Sequence, residues 1–119
     1  SLEEASPSDV GPSVIVHAKY SMAPPTSGPV LQEHIEYIKA RGAEVWMSGQ
    51  FGGPTGGEMM LLRMTNEQAA AFVAGDPFKT NGIFDDVSIA SWVMHHNGAA
   101  LLVAAEAAMQ AAAGTGTTG

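Results

Sequence analysis

The chain contains no cysteine. That removes disulfide staples, thiolate nucleophiles and cysteine-type zinc sites together. Basic residues are scarce too. Five Lys and Arg stand against twelve Asp and Glu, a formal net charge of −7. With no basic stripe to displace counterions from phosphates, nucleic acid is not an expected partner. The acids are scattered and read as solubilising charge. No stretch approaches the roughly 18–20 apolar residues that a membrane span needs, so no membrane partner is expected. The start, Ser1-Leu2-Glu3-Glu4, has neither the basic nor the apolar region of a leader. With the missing cysteines, this makes a reducing, cytoplasmic setting the expectation.

Charge of either sign is sparse. Only 14% of the 119 residues are charged, while 45% are apolar. A chain of this length makes one domain with a viable but small core. So little surface charge predicts that part of the surface meets a partner.

Hydrophobic periodicity then orders the chain. Residues 1–12 carry two prolines and read as a flexible N-terminal arm. Ser13–Tyr20 alternates and is β-branched, which predicts a strand. Pro29 suits a helix's first turn, with Thr26 or Ser27 as nearby caps. Val30, Leu31, His34, Ile35 and Ile38 line one face of that helix, and Gly42 stops it. Glu44–Phe51 and Glu58–Met64 read as two more strands, joined by a Gly-rich hairpin loop. Thr65 and Gln68 have capping-box spacing, opening a helix that runs to Gly75. Asp76–Phe84 reads as an irregular or single helical turn, and Val87–Met94 as a fourth strand. Gly98–Ala113 is Ala-rich and helical by propensity. Residues 114–119 read as a disordered tail.

The order β-α-β-β-α-β is the ferredoxin-like pattern, an α+β fold with an extra C-terminal helix. Residues 13–97 form that domain and 98–113 the added helix. Two helices cover one face of the sheet. The strands are apolar on both parities: Met59 and Leu61 against Met60, Leu62 and Met64, and Val45 and Met47 against Trp46. An apolar uncovered face predicts a homodimer packed sheet to sheet, a dimeric α+β barrel.

Two residues stand out chemically. His34 lies on the apolar face of one helix, and Asp76 ends another, immediately before Pro77. An imidazole titrates near neutral pH and can give or take a proton. A carboxylate on one ring nitrogen fixes the tautomer and leaves the other for a substrate. Pro77 holds Asp76 extended, which fixes where the carboxylate points. The plainer reading is a turn-capping Asp76 and a satisfied helix–sheet His34. His17 is either a half-buried strand histidine or a second polar group of the cleft. Tyr20 is a candidate hydrogen-bond donor near the cleft mouth. Trp46, Phe78 and Trp92 are either packing or an aromatic wall for a ring-like ligand.

His95 and His96 are adjacent, so on extended backbone they point to opposite faces, and no acid lies close by. No metal is expected. The GGPTGG loop lacks the Gly-Lys-Ser/Thr ending of a phosphate loop and is not followed by a helix.

From about Val14 to Val93 the chain resembles the YciI-like (YCII-related) proteins. The likeness rests on His34 in LQEHIEYIKARG, Gly49 in MSGQFGG, the Gly57-Glu58 pair, the segment DPFKTNGIF and Trp92. Its DPF portion is the most specific part. The resemblance implies a dimeric ferredoxin-like α+β barrel and a catalytic dyad whose positions here are His34 and Asp76. Members of known activity include a dehydrochlorinase acting on chlorinated aromatic breakdown products. The chain departs from the pattern at Gln50, where Pro is usual, and at Glu58, where a small hydroxyl residue is common. Both changes alter the pocket lining.

Two functions of different class follow. The first is a small cofactor-free lyase, isomerase or dehydrohalogenase acting on a small cyclic or unsaturated molecule. Its dyad would be His34 and Asp76, with His17, Tyr20, Trp46, Gln50 and Phe78 lining the substrate site. The second is a non-catalytic ligand-binding or accessory module of the same dimeric fold. A structural assembly built on the Ala-rich helix is a third.

Overall fold

The computed structural model describes residues 11–53 and 56–118. The chain falls into two units. Val10–Val93 forms one, and Met94–Gly119 belongs to the other.

In the first unit the elements run β1 (Val14–Tyr20), α1 (Pro29–Lys39), β2 (Val45–Gln50), β3 (Glu58–Leu62), α2 (Asn66–Gly75), α3 (Pro77–Thr80) and β4 (Phe84–Ser91), with a 3-10 turn at Gly42–Glu44. The strands form one antiparallel sheet in the order β2-β3-β1-β4. This is the expected ferredoxin-like arrangement, with β1 and β3 in the centre.

Alternation decides the core. Along β1, Val14, Val16, Ala18 and Tyr20 are buried, while the residues between them are only partly covered or exposed. Met60 and Leu62 continue the buried row on β3. Phe72, Phe78 and Phe84 fill the space between sheet and helices. Burial of each such ring is worth about 1.5–3 kcal/mol.

The helix starts follow local chemistry. Thr65 and Gln68 form the full capping box: Gln68 N donates to Thr65 Oγ1 at 3.2 Å, and Thr65 N donates to Gln68 Oε1 at 2.9 Å. α1 differs from expectation. Its N-cap is Gly28 and no side chain caps it. Pro29 at the first position has no N–H to satisfy, so Thr26 and Ser27 are not needed.

Two further differences concern register. β4 begins at Phe84, three residues before the expected Val87. Asp85 and Asp86 argue against a strand by propensity, but β4 is an edge strand and both are exposed. Trp92 therefore lies just past the strand, its N–H bonded to Ser13 O at 3.1 Å. In β2 the pairing shifts between Val45 and Met47, so Val45 opposes Leu62 while Met47 opposes Leu61. This bulge reverses the parity of β2. Val45 and Met47 do not share a face, contrary to strict alternation.

The second face of the sheet carries Met47 and Met59, both exposed. Phe51, exposed as well, lies against His17 at the end of β2.

In the second unit, α4 spans Gly98–Thr118. Ala100 N donates to Asn97 Oδ1 at 3.0 Å, which caps its start. The helix runs past Ala113, where propensity alone would end it. Leu101, Leu102, Val103 and Met109 along it are exposed. No helix among the described residues is long and apolar enough to cross a membrane. The expected N-terminal arm, apart from Gly11 and Pro12, lies outside the described residues.

Candidate active site

Asp76 serves two helices at once. It is the C-cap of α2 and the N-cap of α3, with φ −66° and ψ 131°. Pro77 enforces that extended backbone, because the α region clashes with the proline ring. Asp76 is fully buried, and its Oδ1 accepts from Phe78 N at 2.9 Å. The same oxygen meets His34 Nδ1 at 2.6 Å. Its other oxygen, Oδ2, is buried with no hydrogen-bond partner among the described residues.

His34 reaches this acid from the inward face of α1 and is 6% exposed. Phe78 stacks on its ring, with centroids 3.7 Å apart and planes at 8°. Phe84 meets it edge-on at 5.9 Å. The second ring nitrogen, Nε2, lies 3.2 Å from Glu58 Oε1. Tyr20 donates its hydroxyl to Glu58 Oε2 at 2.9 Å. The site is thus a line of four groups, Asp76–His34–Glu58–Tyr20.

Sequence reasoning pairs His34 with Asp76 and leaves Glu58 only as a change in the pocket lining. The signal for a larger part is present. Positions 58, 60 and 62 share a parity, so Glu58 points where Met60 and Leu62 do. An acid in that row must find a partner. Gly57 places it. Its φ is +91°, and any Cβ there would overlap the backbone of Ala18 and Lys19 on β1. This close approach brings Glu58 opposite Ala18 and beside Tyr20.

Electrostatics follows from the geometry. Burial alone would lower the His34 pKa. The hydrogen bonds to Asp76 and Glu58 and the charges of both acids outweigh it, and raise the value from 6.5 to about 9. His34 is therefore an imidazolium at neutral pH, and the face of Phe78 favours that cation. The Tyr20 phenol is pushed well above its ordinary value by burial and by the Glu58 carboxylate it donates to. It remains a donor at any physiological pH.

The line of groups opens into a cleft of about 480 Å³. His34, Glu58, Tyr20 and Phe78 line it on one side, Pro24, Pro25 and Leu31 on another. Ser48, Gly49 and Gln50 of β2 complete the wall. Four of the expected site residues, His34, Tyr20, Gln50 and Phe78, therefore meet here, and Asp76 lies behind His34. Two do not. His17 has the opposite parity to Tyr20. Its Nε2 lies 3.2 Å from Gly56 O, and its ring meets Phe51 at 4.8 Å. Trp46 lies at the β2 bulge, with the Arg63 guanidinium 5.1 Å above its ring. Neither lines the cleft. Among the described residues no group of three His, Asp or Glu side chains is arranged to hold a metal ion.

Sheet order, helices on one face and an acid–imidazole cleft between them define a ferredoxin-like α+β protein with a buried ion cluster. A solved structure of this fold is the 5-chloro-2-hydroxyhydroquinone dehydrochlorinase TftG from Burkholderia phenoliruptrix AC1100, in complex with 2,5-dihydroxybenzoquinone. The two share 18% identity with a TM-score of 0.53, over 67% of this chain and 92% of that one. At that identity the likeness carries the fold. No protein-family model matches the chain, and no curated protein matches it by sequence.

Proposed function

We propose that the protein is a small enzyme of the YciI-like kind. It moves a proton on a small cyclic or unsaturated substrate, as a lyase, isomerase or dehydrohalogenase does. The observation that carries this reading is the 2.6 Å bond between His34 and a fully buried Asp76 beside an open cleft. Asp76 fixes the ring and keeps Nδ1 protonated. The imidazolium then offers its Nε2 proton to charge that develops on a substrate oxygen. Phe78 supplies a flat wall against which a ring can lie. The activity named for TftG, a dehydrochlorination, belongs to the same reaction class and supports the reading.

The test is the His34 titration followed by NMR in the wild type and in Asp76→Asn. The expected result is a midpoint near 9 that falls in the variant. A midpoint that ignores Asp76 would remove the dyad. One observation favours the alternative of a binding module: both ring nitrogens of His34 already have partners. Turnover lost in His34→Gln with the fold intact separates the two readings.

The exposed Met47 and Met59 support pairing with a second copy through the open face of the sheet. Met59→Asp should then convert a dimer to a monomer in sedimentation experiments. A wild type that sediments as a monomer at high concentration would end that idea.

A further inference from the structure

His34 has no free nitrogen. Nδ1 is bonded to Asp76 and Nε2 faces Glu58. A proton leaving a substrate therefore needs another acceptor. Asp76 is fully buried behind the ring and is not part of the cleft wall. Tyr20 is committed as a donor. Glu58 remains. It lines the cleft. Its Oε2 accepts from the Tyr20 hydroxyl and also lies 3.2 Å from His34 Nε2, while Oε1 meets only His34 Nε2 among the described residues and keeps lone-pair capacity for a substrate proton. Among the described residues the cleft wall has no Lys or Arg, and the His34 cation in it already faces two acids. A substrate carboxylate would find no unpaired cation there.

We propose that Glu58 is the catalytic base of this cleft, and that it takes a proton from an uncharged, flat substrate. The proposal rests on the proton-transfer reading above and adds its missing half. The substrate C–H bond breaks, its electron pair stays on the substrate, and the proton goes to Glu58, which becomes a neutral acid. The Nε2–H of His34 loses its anionic partner and turns to the new negative charge on the substrate. In an isomerisation Glu58 returns the proton to another substrate atom. In an elimination the leaving group departs with its pair, and Glu58 passes the proton to water.

A generic carbon acid tests this without knowledge of the natural substrate. The probe is 5-nitrobenzisoxazole, which is uncharged and flat. Removal of its ring C–H proton breaks the N–O bond, and the pair ends on a coloured phenolate. The wild type should accelerate this elimination over acetate at equal carboxylate concentration. Glu58→Gln should lose about a hundredfold of kcat/KM, and Glu58→Asp should retain part of it. The titratable groups facing Glu58 are His34 from α1 and Tyr20 from β1, with Asp76 behind the imidazole. Benzamide should compete with the probe better than benzoate. Glu58→Gln with undiminished turnover, no acceleration by the wild type, or tighter binding of benzoate would each overturn the proposal. The NMR titration in Asp76→Asn judges the dyad separately. Loss of the Glu58 assignment with a responsive His34 leaves the dyad standing.

Discussion

On the helix side of the sheet, His34 is enclosed by two acids and two phenylalanines and held as a cation. On the other side, His17 meets a backbone carbonyl and the ring of Phe51. The two residue types are identical, and neither sits in an unusual local sequence. What differs is the row each belongs to. The covered row contains Glu58 and reaches Asp76, and burial there ties His34 to both acids and Tyr20 to Glu58, leaving Asp76 Oδ2 without a partner among the described residues. The open row has solvent in reach, so a single weak bond suffices. Histidine chemistry in this fold is thus assigned by the face and not by the residue.

One severe way to break the contrast is Gly57→Ala. The new methyl group would overlap the β1 backbone, and the left-handed φ would be strained as well. A loss of about 3 kcal/mol or more is expected by urea denaturation, and Glu58 should be displaced from His34. Asp76→Ala comes next. It leaves a buried imidazolium with one acid fewer and uncaps α3, for a cost of about 3–5 kcal/mol. The equivalent change on the open face, His17→Ala, should cost less than about 1 kcal/mol. Equal losses at the two histidine sites would erase the distinction between the faces.

The contrast can be sharpened with pH. The folded pKa of His34 lies above its unfolded value, so folding binds a proton. That contribution is complete below pH 6.5 and is lost as the pH rises to about 9. Urea midpoints of the wild type should fall across this window and stay flatter in His34→Gln. A wild-type midpoint that is constant from pH 6.5 to 9 would show that His34 is not held as a cation.

Much of this is readable from periodicity. The β-α-β-β-α-β order, the capping box at Thr65 and Gln68, and the apolar face of α1 are all local signals. The pairing of His34 with Asp76 is a candidate on the residues alone, and the resemblance to the YciI-like proteins is what favours it over a turn-capping Asp76. The rest depends on pairing between distant segments. The bulge in β2 reverses the parity of that strand, and no residue in VWMSGQ announces it. The early start of β4 is possible because the strand lies at an edge, and edge position is a property of the whole sheet. Glu58 becomes legible as a site residue only when Gly57 is seen to press against β1. His17 and Trp46 are assigned to the cleft by residue type, which carries no information about face.

The β2 bulge has a consequence for how such a cleft changes over time. Ser48, Gly49 and Gln50 form one wall of it, while the ion cluster stands on other elements. Removing a single residue from β2 would rotate the side chains that follow and rebuild that wall. The cluster of Asp76, His34 and Glu58 would keep its place. A change in chain length, with no substitution at any reacting group, is thus expected to alter what the cleft accepts. An unchanged His34 titration alongside altered ligand preference would be its signature.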